Sequence, residues 1–264
     1  MNAQSQVRGT GAADITPIRV TVWGENHHET NGSEREAMAE RYPLGMHGTI
    51  AAGIRERLGS GVVVRTATQD QAENGLTKAV LEDTDVLTWW GHVTHAEVAD
   101  DVVERVYERV LGGMGLLVLH SAHFSKIFKR LMGTTCSLRW RNSDDAELVW
   151  TIAPSHPIAR GLPQPVIIPQ QEMYGEYFDI PTPDELVFLS SFSGGELFRS
   201  GCTWRKGKGK VFYFSPGDQD YPVYHHPDIK TILANAVEWA APATSEILVP
   251  PSVVISRLPW PSST

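Results

Sequence analysis

Short apolar runs alternate with helical periodicities through the first half of the chain. Ile18–Trp23 (IRVTVW), Val62–Ala67 (VVVRTA), Asp85–Trp90 (DVLTWW) and Gly115–His120 (GLLVLH) are of strand length and rich in Val, Leu, Ile or Trp. Between them Ile50, Ile54 and Leu58 recur every four residues, as do Val98, Val102, Val106 and Val110, and each series predicts a helix with one apolar stripe. Strands separated by such helices pair in parallel. Right-handed crossovers then predict an α/β fold with a three-layer, doubly wound, mostly parallel sheet, and ligands are expected beyond the carboxyl ends of its strands.

The second half has a different pattern. Ser137–Trp150 predicts two strand pieces around the polar turn Asn142–Asp145, and a Pro-rich passage runs from Pro154 to Pro169. Leu186–Ser191, Gly201–Trp204 and Lys210–Ser215 predict further strands, the last two joined by a Gly-Lys-Gly turn, so antiparallel additions to the sheet are expected. A closing helix over Pro227–Trp239 carries Ile229, Leu233, Ala236 and Val237 on one face, with Pro227 suited to its first turn. The expected organisation is one domain over 17–241, preceded by a disordered segment 1–16 and followed by a Pro-rich tail or arm, 242–264.

Composition excludes several classes of partner. With 23 Lys and Arg against 31 Asp and Glu, the 264-residue chain has a formal charge of −8, which does not suit nucleic acid or an anionic membrane. No run approaches the roughly 18 apolar residues of a membrane span, and the start lacks a signal-peptide pattern, so a cytoplasmic protein is expected. The only cysteines, Cys136 and Cys202, form no CxxC pair and are expected as core thiols. There is no Walker-type loop and no nucleotide cofactor is expected.

The candidate chemistry lies in the placing of the ten histidines. Two strands run directly into H-x-x-H, as His92-Val93-Thr94-His95 and His120-Ser121-Ala122-His123. The first strand feeds Glu25, His27, His28 and Glu29, the second feeds Asp70, and His47 opens the first helix, so all of them are expected on one rim. Neutral imidazoles with carboxylates are ligands for Zn, Mn, Fe or Ni, and a divalent metal ion is expected with His28, His47, His92 and His120 as its ligand pool. Glu172, His95 and Asp70 are candidates for acid and base. In Gln170–Asp179 the four-residue spacing of Glu172 and Glu176 would put both on one face if the stretch were a short helix. Tyr174, Glu176, His123 and Arg199 are candidate substrate contacts, Arg199 being equally able to pair with Glu196 or Glu185. Ser121 lacks the flanking glycines of a nucleophile elbow and is a minor candidate for a hydrolase nucleophile.

The blocks IRVTVWGENHHE, YPLGMHGTIA, DVLTWWGHVTH, GLLVLHSAHFSKIFKRLMGT, HPIARGL, EMYGEYFDIPTPDELVF, GGELFRSGC and KGKVFYFSPG resemble the trehalose-utilisation (ThuA-like) family over roughly 18–241. The resemblance implies a flavodoxin-like, class I glutamine-amidotransferase-like fold without glutaminase activity, because the turn near Ser121 has no cysteine. It also implies catabolism of trehalose and related disaccharides beside NAD-dependent oxidoreductases that make 3-keto sugars. One departure is Pro216-Gly217-Asp218-Gln219, where relatives tend to have Pro-Gly-His-Glu, so Asp218 would have to replace a family histidine. Together these readings predict a metal-assisted isomerase, lyase or hydrolase on a keto sugar, in a homo-oligomer. The alternative is a sugar-binding accessory protein in which Trp23, Trp89 and Trp90 offer stacking faces. The segment Gly24–Leu44, without clear periodicity, is expected as a lid.

Overall fold

The computed structural model describes residues 16–31 and 34–242. Apart from Thr16 and Pro242, the amino-terminal segment and the carboxyl-terminal arm expected from the sequence lie outside the described residues. The strands β1 (Ile18–Gly24), β2 (Val62–Thr68), β3 (Val86–Trp90), β4 (Gly115–Leu119), β5 (Arg139–Thr151), β6 (Val166–Gly175), β7 (Glu185–Phe192), β8 (Leu197–Lys206) and β9 (Gly209–Phe214) form one sheet in the order β2-β1-β3-β4-β9-β8-β7-β5-β6. Strands β2, β1, β3, β4 and β9 pair in parallel, and β9, β8, β7, β5 and β6 pair antiparallel.

Side-chain alternation explains how one sheet supports two cores. In β4, Leu117 and Leu119 join a core with Ile50 and Ile54 of α3 (Gly45–Leu58) and Ile229, Leu233 and Val237 of α7 (Pro227–Ala240). Leu116 and Val118 turn the other way, onto Leu81 of α4 (Lys78–Glu82), Val102, Val106 and Val110 of α5 (Asp100–Gly112), and Phe128 of α6 (Lys126–Met132). Each of these four β4 side chains is 0% exposed, which is why the strand reads as a continuous apolar run rather than an alternating one.

Three segments differ from expectation. The stretch containing Glu172 is not a helix: Val166–Gly175 is strand β6, held by antiparallel pairing to β5, where Tyr174 faces Trp140 in register. The two strand pieces of 137–150 are one long strand, β5, with register shifts between Arg141 and Glu147. Within Gly24–Leu44 the chain forms α1 (His27–Thr30) and α2 (Arg35–Arg41). Met38 and Tyr42 in that segment are each 1% exposed, and the Tyr42 hydroxyl donates to the Tyr221 carbonyl at 2.5 Å, so this part packs as core. Trp23, Trp89 and Trp90 are buried as well, and none offers a face to a ligand. Among the described residues no helix is long and apolar enough to cross a membrane.

Candidate functional site

The parallel strands end at one rim, and the residue that β4 delivers there is His120. Its backbone lies in the left-handed region at φ 49°, a conformation that a non-glycine residue adopts only where its surroundings hold it. The sharp strand-to-helix turn therefore presents His120 itself. Ser121 also lines the cleft, but it is buried and its hydroxyl is engaged in donating to the Gly91 carbonyl at 2.8 Å.

His120 is fully buried and held on all sides. Its Nδ1 donates to the Ser215 carbonyl at 2.6 Å, its Nε2 lies 3.0 Å from Glu172 Oε2, and the Tyr213 hydroxyl donates to its own carbonyl at 3.2 Å. Asp218 Oδ2 is 3.3 Å from the same Nε2 but is not aligned for a hydrogen bond, and no donor reaches it. Tyr174 stacks on the imidazole with ring centroids 4.6 Å apart and brings its hydroxyl within 3.2 Å of Nε2. His120, Glu172 and Asp218 thus place one nitrogen and two carboxylate oxygens within 4.8 Å of one another. Burial opposes charge on the ring, but Asp218 and Glu172 outweigh it and raise the imidazole pKa to about 10. Burial likewise opposes ionisation of Asp218, yet His120 holds that carboxyl below its ordinary range.

Asp218 reaches this position because β9 adds in parallel beside β4, so the loop Ser215-Pro216-Gly217-Asp218 leaves the sheet at the same rim. Gly217 makes the turn at φ 143°, and a Cβ there would lie 2.0 Å from the Tyr224 hydroxyl. The Gly217 carbonyl is anchored by Trp90 Nε1 at 3.0 Å.

The cluster lies at a cleft of about 470 Å³ lined by Glu172 and Tyr174 with His92, His95 and His123, and by Phe124, Trp140, Asn142 and Gln219. Trp140 is 66% exposed there. Burial lowers the pKa of His95 to about 4 and of His123 to about 3, so both rings are neutral at pH 7. His123 Nδ1 donates to the Cys136 carbonyl at 2.6 Å, leaving Nε2 with its lone pair. His92 is also held below its usual value, first by burial and then by His120 and His28. The Glu25 carboxylate accepts from the His92 and Val93 amides at 2.7 and 3.0 Å, fixing the β3 loop.

The expected ligand pool is only partly assembled. His120 is in the three-residue group, whereas His28 and His92 bond to each other, His28 Nε2 to His92 Nδ1 at 2.9 Å. His47 lies apart, with Nδ1 3.9 Å from Glu29 Oε1. Asp70 lines a separate recess of about 160 Å³ with Asn26 and His27, so it does not share the cleft with Glu172 and His95. Glu176 and Arg199 do not face the cleft as substrate contacts. They satisfy each other, with Arg199 Nε and Nη2 each 2.9 Å from a Glu176 oxygen, and Arg199 also reaches the Phe178 carbonyl at 2.6 Å. Tyr174 is 3% exposed and is spent on orienting His120 more than on offering a free face. Sequence reasoning missed Trp140, Asn142 and Gln219 as cleft residues, and it noticed Asp218 only as a departure from a family pattern. The signal for Asp218 was the strand-to-turn passage KVFYFSPGD, which repeats the form of the first four strand ends.

The family model described as ThuA, trehalose utilisation, matches residues 19–240. No curated protein matches the chain at a significant level. Among solved structures, a ThuA-like protein from Bacteroides uniformis is similar at 15% identity and a TM-score of 0.60, over 88% of this chain and 95% of that one. A ThuA-like protein from Parabacteroides merdae is similar at 14% identity and a TM-score of 0.59, over 88% and 93%. A cytoplasmic protein from Salmonella typhimurium is similar at 12% identity and a TM-score of 0.56, over 86% and 100%. At such identities the structural likeness speaks for the fold alone, and the family match, which spans the sheet and both cores, assigns this chain to the ThuA, trehalose-utilisation family.

Proposed function

We propose that this chain is a metal-assisted enzyme acting on a disaccharide in its keto form, within trehalose utilisation. The observation that carries the reading is the buried convergence of His120 Nε2, Glu172 Oε2 and Asp218 Oδ2 beside the cleft. The donor chemistry fits a divalent cation. Two carboxylates balance its charge, the Ser215 carbonyl accepts from His120 Nδ1 so that Nε2 is the nitrogen on which a cation would take the place of the proton, and Asp218 Oδ2 is a buried acceptor with no donor of its own. One imidazole and two carboxylate oxygens suit Zn, Mn or Fe, and no thiolate is among them.

A cation held there would act as a Lewis acid on a substrate carbonyl. A ketone at C3 of a sugar acidifies the C2 hydrogen, and the neutral imidazoles of His92, His95 and His123 line the cleft as proton acceptors. His123 presents Nε2, because its Nδ1 proton is engaged by the Cys136 carbonyl. The exposed Trp140 face suits stacking on a pyranose ring, and Asn142 and Gln219 suit its hydroxyls. Removing the C2 proton and returning it elsewhere gives isomerisation or eliminative cleavage of the glycosidic bond. The keto sugar would come from an NAD-dependent sugar oxidoreductase working upstream.

The fold and location proposed with this reading are flavodoxin-like layering and a cytoplasmic protein. The first is supported by the parallel order β2-β1-β3-β4-β9, which is the 2-1-3-4-5 order of such sheets. The second is supported by the name of the similar Salmonella typhimurium protein. The test is metal content and thermal shift with Mn²⁺ and Zn²⁺ for wild type and Asp218→Asn, followed by turnover of a 3-keto disaccharide. Stoichiometric metal that Asp218→Asn loses, together with turnover, supports the proposal. Sugar binding without metal or turnover replaces it with an accessory sugar-binding role.

A further inference from the structure

We infer that Glu34, His28 and His92 form a proton relay that keeps the His92 Nε2 lone pair available to the cleft and passes its proton to the surface at Glu34. This inference rests on the reading of the cleft as catalytic, but its first consequence does not require turnover.

The chain of contacts is continuous. His28 Nδ1 is hydrogen-bonded to Glu34 Oε2, and His28 Nε2 is 2.9 Å from His92 Nδ1. The His28 side chain is 5% exposed, whereas that of Glu34 is 61% exposed, so the carboxylate meets solvent and the imidazole between does not. His92 lines the cleft, and its backbone is held by the Glu25 carboxylate, which accepts from the amides of residues 92 and 93.

The proton positions follow from what each partner can do. A carboxylate only accepts, so the bond to Glu34 places a hydrogen on His28 Nδ1. In neutral His28 the other nitrogen then carries a lone pair, so the hydrogen shared by the two rings belongs to His92 Nδ1. Neutral His92 is thereby left unprotonated at Nε2, the only position at which it can take a proton from a ligand. When Nε2 takes that proton, the His92 Nδ1 proton moves to His28 Nε2 and the His28 Nδ1 proton moves to Glu34. One proton has entered and the carboxylate has become a carboxylic acid, while both rings remain neutral in the opposite tautomer. Returning the proton to the product at His92 Nε2 reverses each transfer and restores the starting state. No buried imidazolium is formed at any stage, an advantage for a ring whose burial disfavours charge. In this arrangement His92 touches substrate, and His28 and Glu34 are positioning residues that act through it.

Two measurements test the relay. Histidine ring ¹⁵N correlation spectra of the full chain at pH 7 report the tautomers directly. The expected result is His28 and His92 both protonated at Nδ1. Glu34→Gln should preserve this pattern, since the amide oxygen still accepts, and Glu34→Ala should release it to a mixture. A proton on His92 Nε2 in wild type, or tautomers unchanged in Glu34→Ala, overturns the inference regardless of any activity. The second measurement is turnover of a 3-keto disaccharide. Because glutamine orients the ring but cannot take the proton, Glu34→Gln should lower kcat on the order of 100-fold with KM unchanged. Unchanged kcat in Glu34→Gln overturns the relay. If wild type turns over no keto sugar yet shows the expected tautomers and their release in Glu34→Ala, the proposed enzyme function fails while the tautomer chain is supported.

Discussion

The substitution Glu147→Gln tests how the sheet carries buried charge next to the site. Glu147 of β5 is 0% exposed, accepts from the Ser190 hydroxyl at 2.5 Å through Oε1, and leaves Oε2 with no partner. Burial raises its pKa from an ordinary 4.5 to about 7, against smaller lowering effects of the Ser190 bond and the His120 charge. Because the folded value is the higher one, the neutral acid is the form that folding favours. The associated stability is present in full below about pH 4.5 and is lost as pH rises through about 7. A displacement of about 2.5 units at 1.36 kcal/mol each gives a loss of about 3 kcal/mol. Glutamine has the same shape and no titration, so it lacks this loss at any pH. Its amide places two N–H donors where Oε2 has no partner, at a cost of about 1–3 kcal/mol each, but that cost is nearly independent of pH and cancels from the difference. Urea unfolding of wild type and Glu147→Gln at pH 4, 6 and 8 should therefore show the variant gaining about 3 kcal/mol on wild type between pH 4 and 8. In melting temperature the gain is about 6–12 °C for a domain of this size. A difference between the two proteins that stays constant within about 0.5 kcal/mol across that range would refute the assignment of a protonated Glu147.

Other predictions concern the site and its support. Gly217→Ala puts a Cβ 2.0 Å from the Tyr224 hydroxyl at a φ of 143°, so the loop bearing Asp218 must move. The expected result is a loss of about 2 kcal/mol or more in thermal unfolding and abolition of any Mn²⁺-induced thermal shift. Arg199→Ala leaves the part-buried Glu176 carboxylate without its guanidinium and should cost about 1–3 kcal/mol in urea unfolding while metal stoichiometry is unchanged; loss of metal would return Arg199 to the site. Trp140→Ala removes a side chain that is 66% exposed, so it should leave the melting temperature within about 2 °C of wild type while weakening disaccharide binding in calorimetry by about tenfold. Unchanged sugar affinity would remove Trp140 from the site.

The sequence by itself determined the amino-terminal half of the fold and the existence of a histidine-rich rim. Strands of β-branched and aromatic residues alternating with four-residue apolar repeats have one economical arrangement, and Ile50 with Ile54 and Val102 with Val106 do lie in the two cores that this arrangement requires. The strand ends carrying His92 and His120 share a rim for the same reason, since β3 and β4 are parallel neighbours.

Only the tertiary structure decided which groups meet. The four-residue spacing of Glu172 and Glu176 is compatible with one helix face and also with period-two alternation, and pairing with β5 selects the strand. As a strand it sends Glu172 to His120, while Glu176, just past its end, goes to Arg199. Asp218 joins His120 because β9, 95 residues beyond at the Ser215 contact, inserts in parallel beside β4 after an antiparallel excursion through β5 to β8. The bond between His28 and His92 likewise spans 64 residues. Periodicity records which face of an element is apolar, a property of a few neighbouring residues. Which elements become neighbours depends on packing the whole sheet at once, so the rim could be read from the sequence while the meeting of His120, Glu172 and Asp218 on it could not.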